Sequence, residues 1–355
     1  MSTLTIPDIW NAAQLEQALS EPSASDVEFM TKLKGDVMVL GAGGKMGPSL
    51  AKLARRASVQ AGVSRRTLAV SRFSSPAARD DLERAGVTTL SRDLMKPGEV
   101  DSLPDCENIL YLAGRKFGSS DRPDLTWATN AVLPAWVAQR FRNSRIVAFS
   151  TGNVYPFSDV PGAGVPGLLD TRGSRETDDP RPVGEYAQSC LARERVFEYF
   201  SRENDTPCVL FRLNYAVDLR YGVLADIARK VSANQPVDLT VPAFNVIWQR
   251  DANSYALRAL ALCASPPLVL NVTGADNLSV RAVAEYFAAR FGQPCRFHSP
   301  EGKSALLSDA SLCFSLLQPP SVSSEMLLDL QVKWITSGGG TIDKPTHFEV
   351  SDGRF

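Results

Sequence analysis

The feature that most restricts the fold is a short apolar run, Asp36-Val-Met-Val-Leu40, which breaks directly into Gly41-Ala-Gly-Gly44-Lys45-Met46-Gly47 and then into GPSLAKLARRASVQ. A continuous apolar run of this length reads as a strand buried on both faces, and the stretch after it has apolar residues at helical spacing. Between them, glycines at G-x-x-G-x-x-G permit a tight turn. They also let backbone N–H groups and the helix N-terminus approach a pyrophosphate. Gly41, Gly44, Lys45, Met46 and Gly47 are therefore candidate dinucleotide contacts. The G-K-[ST] ending of a nucleoside-triphosphate loop is absent, which disfavours an NTPase.

The alternation continues downstream. RTLAVSR, TTLSRDL, ENILYLAG, RIVAFST and PCVLFRLN read as strands, and AARDDLERAG, WATNAVLPAWVAQRF and YAQSCLARERVFEYFSRE as the helices between them. This order predicts an α/β fold, a Rossmann-type doubly wound parallel sheet with ligands at the carboxyl ends of its strands. Past Asn214 the pattern loosens into a smaller C-terminal α/β lobe, part of which returns to the first sheet. The expected division is 1–34, a helical extension; 35–213, the dinucleotide-binding domain; 214–336, the smaller substrate lobe; and 337–355, a polar, irregular tail. In the extension Asp8 is expected to cap a helix through NAAQLEQAL, which SEPSAS ends. The extension is expected to pack on the main domain or on another subunit.

Composition narrows the chemistry. With 38 basic and 39 acidic residues the formal charge is −1, so nucleic acid and membrane surfaces are not expected as partners. The only histidines, His298 and His347, fall in the last sixty residues. No metal centre is expected, and a Ser-His-Asp hydrolase is disfavoured. Six scattered cysteines without a C-x-x-C pair read as reduced thiols. No basic-then-apolar leader opens the chain and no apolar run nears the ~20 residues of a membrane span, so a cytoplasmic protein is expected. Chemistry must then rest on tyrosine, threonine, lysine, carboxylates or a cofactor.

After the second strand, where an NAD enzyme usually offers Asp or Glu to the ribose hydroxyls, the chain has Ser71-Arg72. A guanidinium there pairs with a 2′-phosphate and a serine donates to it, so NADP is preferred over NAD.

The order of these segments resembles the extended short-chain dehydrogenase/reductases, the NAD(P)-dependent epimerase/dehydratase family, over roughly residues 35 to 335. The resemblance rests on the glycine loop, Asp93-Leu94 after strand three, Leu112-Ala113-Gly114 after strand four and Asn130 in the next helix. It extends to Ser150-Thr151-Gly-Asn153-Val-Tyr155, Tyr186, Arg212, WQRDANSYALRAL and NVTGADNLSVRAVAEYF. It implies cofactor contacts at the glycine loop, Asp93, Leu94, Leu112, Ala113, Gly114 and Asn130, with Asp93-Leu94 at the adenine. It implies Thr151 as the hydroxyl that orients a substrate oxygen and Tyr186 as the acid/base. Asn153, Asn214 and Tyr215 are implied substrate contacts, although the asparagine in Arg212-Leu-Asn214 comes one residue early.

One residue departs from the family. The lysine expected four residues after the tyrosine, which lowers the phenol's pKa, is replaced by Cys190. Ionising a tyrosine unaided at pH 7 costs on the order of 4 kcal/mol. Lys116, on the loop after strand four, or the cationic oxidised nicotinamide can supply the missing charge; Arg193, almost two turns beyond Tyr186, is the poorer candidate. The resemblance implies an NAD(P)-dependent oxidoreductase, epimerase or dehydratase acting on a hydroxyl or keto group of a sugar-like or nucleotide-sugar substrate, with a homodimer as the default assembly. The alternative is an NADP-binding sensor or scaffold with a degenerate active site.

Overall fold

The computed structural model describes residues 9–160, 169–342, 346–350 and 352–353. Seven strands make one sheet: β1 Val37–Leu40, β2 Thr67–Ser71, β3 Thr88–Ser91, β4 Asn108–Tyr111, β5 Arg145–Thr151, β6 Cys208–Leu213 and β7 Leu268–Val272. Their spatial order is β7-β6-β5-β4-β1-β2-β3, and every pairing is parallel. The order reverses between β1 and β4, so the loops leaving these two strands diverge and open a crevice. The doubly wound α/β reading of the sequence holds, and β7 is the segment past Asn214 that returns to the sheet.

Among the described residues twelve helices cover and extend the sheet: α1 Ala12–Leu19, α2 Ala24–Lys32, α3 Gly47–Gln60, α4 Pro76–Arg84, α5 Pro123–Trp127, α6 Leu133–Arg140 and α7 Gly184–Asn204. The rest are α8 Val223–Ser232, α9 Gln249–Arg258, α10 Val280–Phe291, α11 Ser311–Leu317 and α12 Ser324–Thr336. None among the described residues is long and apolar enough to cross a membrane.

Strand alternation assigns the two faces. Val37 and Val39 join one core with α3 and α9, while Met38 and Leu40 join the other with α6 and α7. All four are fully buried, each contributing about 1.5–3 kcal/mol of transfer free energy. A third core fills the smaller lobe between α8, α10 and α12 and takes in Ile9, Leu15 and Leu19 from the extension.

The extension packs on its own chain. Asp8 lies outside the described residues; α1 is capped instead by Asn11, whose Oδ1 accepts the Gln14 N–H at 3.0 Å. The carboxylate of Asp26 in α2 is fully buried. It caps its own helix through Ser23, accepts from Ser254 Oγ of α9, and lies 3.5 Å from Arg258 and 3.7 Å from Arg250. Glu16 of α1 reaches Arg220 at 2.8 Å. The extension is thus a clamp across α3 and α9.

The tail forms no helix or strand among its described residues, yet it is not loose. Phe348 is buried in the lobe core, and the N–H and hydroxyl of Thr346 both bond the Asp226 carboxylate of α8. A Cβ on Gly184, at the start of α7, would stand 2.3 Å from the Gly353 carbonyl oxygen. The tail therefore crosses from the lobe to the helix that carries Tyr186.

Candidate functional site

The crevice at the carboxyl ends of β1 and β4 continues into the cleft between sheet and lobe as one cavity of about 300 Å³. Its floor is the glycine loop. Gly41 has φ +87°, and a Cβ there would meet the Ala113 backbone nitrogen at 2.6 Å, so only glycine lets the two crossing loops touch. At Gly47 a Cβ would strike Ala42 at 2.5 Å, which fixes the close seat of α3 against the strand end. Gly44 faces open space apart from a 3.4 Å approach to its own loop. Helix α3 has no side-chain cap and carries Pro48 in its first turn. Its free N–H groups therefore end at the cavity, and a pyrophosphate fits this cradle.

Ser71 closes β2 beside the loop: its Oγ would be 2.4 Å from a Cβ on Gly43. Arg72 is exposed and makes no ion pair among the described residues. No carboxylate stands at that strand end to receive ribose hydroxyls. Asp93 lies on the turn after β3, where its Oδ1 accepts the Met95 N–H at 3.2 Å. The Leu94 side chain is in the core behind it.

The wall opposite the loop comes from β5 and α7. Thr151 ends β5 and is buried; its Oγ1 donates to Asn153 Oδ1 at 2.9 Å. Tyr186, in the first turn of α7, lines the same cavity wall as Thr151, with Cys190 one turn further along the helix. Burial pushes the Tyr186 phenol well up from its usual value and Cys190 adds to this, while the Arg193 guanidinium and the Thr151 hydroxyl pull it down. Cys190 is fully buried, and desolvation raises its thiol too.

Lysines flank both ends of the cavity. Lys45 Nζ donates to the Ala216 carbonyl at 2.9 Å and lies 4.0 Å over the Tyr221 ring. Lys116 Nζ lies 5.7 Å from the Tyr186 ring centre. Desolvation lowers each ammonium to about 8; Asp218 opposes this at Lys45, and Cys190 at Lys116. Arg115 and Arg193 also line the cavity, and no Asp or Glu among the described residues does. Four cations without a lining carboxylate suit an anionic occupant.

The structure brings Gly41, Gly44, Lys45, Met46, Gly47, Leu112, Gly114, Lys116, Thr151, Asn153, Tyr186, Asn214 and Tyr215 to this one cavity. Asn214 gives its amide to Asn245 Oδ1 at 2.8 Å, and Tyr215 holds the uncommon φ of +42°. Asn130 is fully buried and spends its amide on structure. It accepts from the Arg115 N–H and from Arg193, and donates to the Arg115 carbonyl and Ser189 Oγ. It sits in a π-turn, Ala128–Val132, just before Pro134, whose missing N–H removes one helical hydrogen bond. Of the loop after Tyr155, residues 161–168 lie outside the described residues; Glu176 accepts the Asn271 N–H, and Arg172 pairs with Asp178. His298 pairs with Asp238 at 3.2 Å in the lobe, and neither histidine lines the cavity.

Sequence reasoning passed over Tyr221 and Thr346, and it took Arg193, which also lines the cavity, as the poorer candidate for the missing charge. Arg193 carried a usable signal, since seven residues after Tyr186 returns to the same helical face.

Residues 37–239 match the sequence profile of the NAD dependent epimerase/dehydratase family. No curated protein sequence matches the chain. Among solved structures, the fold is similar to UDP-glucose 4-epimerase of Thermotoga maritima with UDP-glucose (TM-score 0.67, 17% identity, 85% of this chain and 99% of that one). It is similar to UDP-glucuronic acid 4-epimerase of Bacillus cereus in complex with UDP-glucuronic acid and NAD (0.68, 15%, 85% and 99%). A third is the UDP-glucose 4-epimerase of Thermus thermophilus in complex with NAD (0.65, 18%, 84% and 97%).

Proposed function

The chain belongs to the NAD dependent epimerase/dehydratase family, and from that premise we propose that it is a nicotinamide-dependent enzyme acting at a hydroxyl or keto carbon of a nucleotide-sugar substrate. The observation that carries the reading is that Thr151 and Tyr186 stand together in the wall of the cavity that begins at the glycine loop. The structural neighbours bound to UDP-sugars and NAD support it.

In this reading the loop at Gly41, Gly44 and Gly47 and the uncapped start of α3 hold the pyrophosphate. Ser71 and Arg72 receive a ribose 2′-phosphate, so NADP is bound in preference to NAD. Asp93 and Leu94 border the adenine, and Leu112-Ala113-Gly114 the far side of the glycine loop. When bound, the oxidised nicotinamide supplies a hydride acceptor. Thr151 orients the substrate oxygen, Tyr186 takes its proton and Lys116 lends positive charge. Asn153, Asn214 and Tyr215 border the sugar. Half-exposed Trp127, Val132 and Trp136 on α5–α6, with Tyr199 on α7, form the face through which a homodimer assembles.

The test is a panel of UDP-hexoses and UDP-uronates with NADP⁺ and NAD⁺, read by reduced-nicotinamide absorbance and by product analysis. Tyr186→Phe is expected to lower turnover about 10²–10⁴-fold. Turnover that survives this substitution removes Tyr186 from the chemistry. A chain that binds NADP⁺ and turns over no member of the panel is the sensor or scaffold instead.

A further inference from the structure

We infer that Arg193 is the positioning cation for Tyr186, standing in the second turn of the same helix for the charge that Cys190 cannot carry. The inference rests on the role proposed above for Tyr186. In α7 the residues Tyr186, Cys190 and Arg193 follow one another at i, i+4 and i+7, one face of the helix. That face is turned to the cavity, which Tyr186 and Arg193 both line.

Arg193 is 6% exposed, and its charge is not cancelled. Nη1 donates to the Phe149 carbonyl at 2.8 Å and Nη2 to Asn130 Oδ1 at 2.7 Å, both neutral acceptors. Buried Nε has no hydrogen-bond partner. No carboxylate among the described residues lies within ion-pair distance; neighbouring Glu194 is turned the other way, into a two-bond fork with Arg212. Burying an unpaired cation is costly unless something anionic balances it. The groups that feel its field are the Cys190 thiol, the phenols of Tyr111 and Tyr186, and the Glu194 carboxylate, which Arg212 already engages. Tyr111 is sealed in the core, so Tyr186 is the phenol that meets the cavity. The route for the guanidinium is also built: a Cβ on Gly114 would stand 2.6 Å from Nη2, so glycine at this position keeps the path open.

Lysine one turn from the tyrosine and arginine two turns away differ in reach. The longer arginine side chain and its planar fork span the extra turn, and Asn130 and Phe149 hold the head still. The charge is thus held at the cavity that Tyr186 lines, while its anchor lies further along the helix.

The test reads position 186 alone and needs no substrate. Tyr186→3-nitrotyrosine, installed by stop-codon suppression, ionises near neutral pH with a visible absorbance change, so its midpoint is measured directly on the full chain. Arg193→Gln is expected to raise that midpoint by about one unit, tenfold in proton affinity. Arg193→Lys, shorter and without the fork, should lie between the parent and Arg193→Gln, and adding Cys190→Lys to Arg193→Gln should bring the midpoint back. Gly114→Ala, which displaces the guanidinium without deleting it, should raise the midpoint as well and serves if Arg193→Gln fails to fold. An unmoved midpoint in Arg193→Gln or in Gly114→Ala overturns the inference. So does a midpoint that stays raised when Cys190→Lys is added to Arg193→Gln, because the effect is then packing and not charge. A shift in Lys116→Gln with none in Arg193→Gln also overturns it. Because no turnover is involved, loss of the functional reading and loss of this inference are separately visible.

Discussion

Arg212→Met leaves the carboxylate of Glu194 stranded. Glu194 is 1% exposed and receives the Arg212 fork at 3.0 and 2.7 Å, with Ser150 Oγ as its third donor. Breaking such a buried pair from one side costs about 3–5 kcal/mol. Arg212 also donates to the Tyr155 hydroxyl at 2.6 Å; that oxygen keeps its own bond to Asn271 Oδ1 at 2.8 Å, so this loss adds only about 1 kcal/mol. Against a total stability of about 5–15 kcal/mol, the single substitution removes a third or more. Replacing both charges, Arg212→Met with Glu194→Leu, deletes the desolvation penalty along with the attraction. The double variant should return to within about 2 kcal/mol of the parent, Ser150 being left without its acceptor. Urea unfolding of the four proteins at matched m-values measures the coupling, expected at about 5 kcal/mol or more. A loss below about 1 kcal/mol for Arg212→Met would refute the reasoning, as would a double variant no better than the sum of the singles. The pair ties the end of β5, β6 and α7 together beside Thr151. The restored stability of the double variant should therefore come without restored turnover.

Three further outcomes are expected. Arg72→Asp should weaken NADP⁺ binding about 10- to 100-fold with little effect on NAD⁺, since only a 2′-phosphate meets that guanidinium; calorimetry with both cofactors checks it, and an unchanged ratio rejects the assignment. Lys45 and Lys116 are lowered from 10.5 to about 8, so between those values the unfolded chain binds more protons and their contribution to stability rises with pH. An anion bound in the cavity restores both ammoniums, so cofactor binding in that window should take up protons, measured by calorimetry in buffers of differing ionisation enthalpy; proton release would contradict it. Gly41→Ala should cost about 2–4 kcal/mol and abolish cofactor binding, the added methyl meeting both a positive φ and the Ala113 backbone; denaturant midpoints and cofactor titration check it, and wild-type binding would contradict it.

The sheet was legible because most strands are short apolar runs that punctuation residues bound, and β1 through β6 fall where the strand segments do, the polar edge strand β3 included. The site was legible where chemistry and position coincide in the chain, as at the glycine loop, Thr151 and Tyr186. It was not legible where packing decides. Nothing in ATNAV announces a π-turn; the signal is Pro134 beyond it, and the consequence is the buried Asn130 that grips Arg193. Arg193 was set aside by counting turns, and the chain gives no local sign that Asn130 and the Phe149 carbonyl hold its guanidinium at the cavity. The tail reads as polar by composition, yet Phe348 and Thr346 alone suffice to dock it, through a lobe core and an aspartate that local sequence does not reveal.

The clamp made by the N-terminal extension bears on how the chain is made. Asp26 finds its partners at Arg250, Ser254 and Arg258, more than two hundred residues later in synthesis. On the ribosome the first helices emerge early and wait, their apolar faces uncovered, until α9 has cleared the exit tunnel. A segment made well before α9 is thus fixed only once α9 is made, and a chain arrested before α9 would expose it to chaperones and proteases.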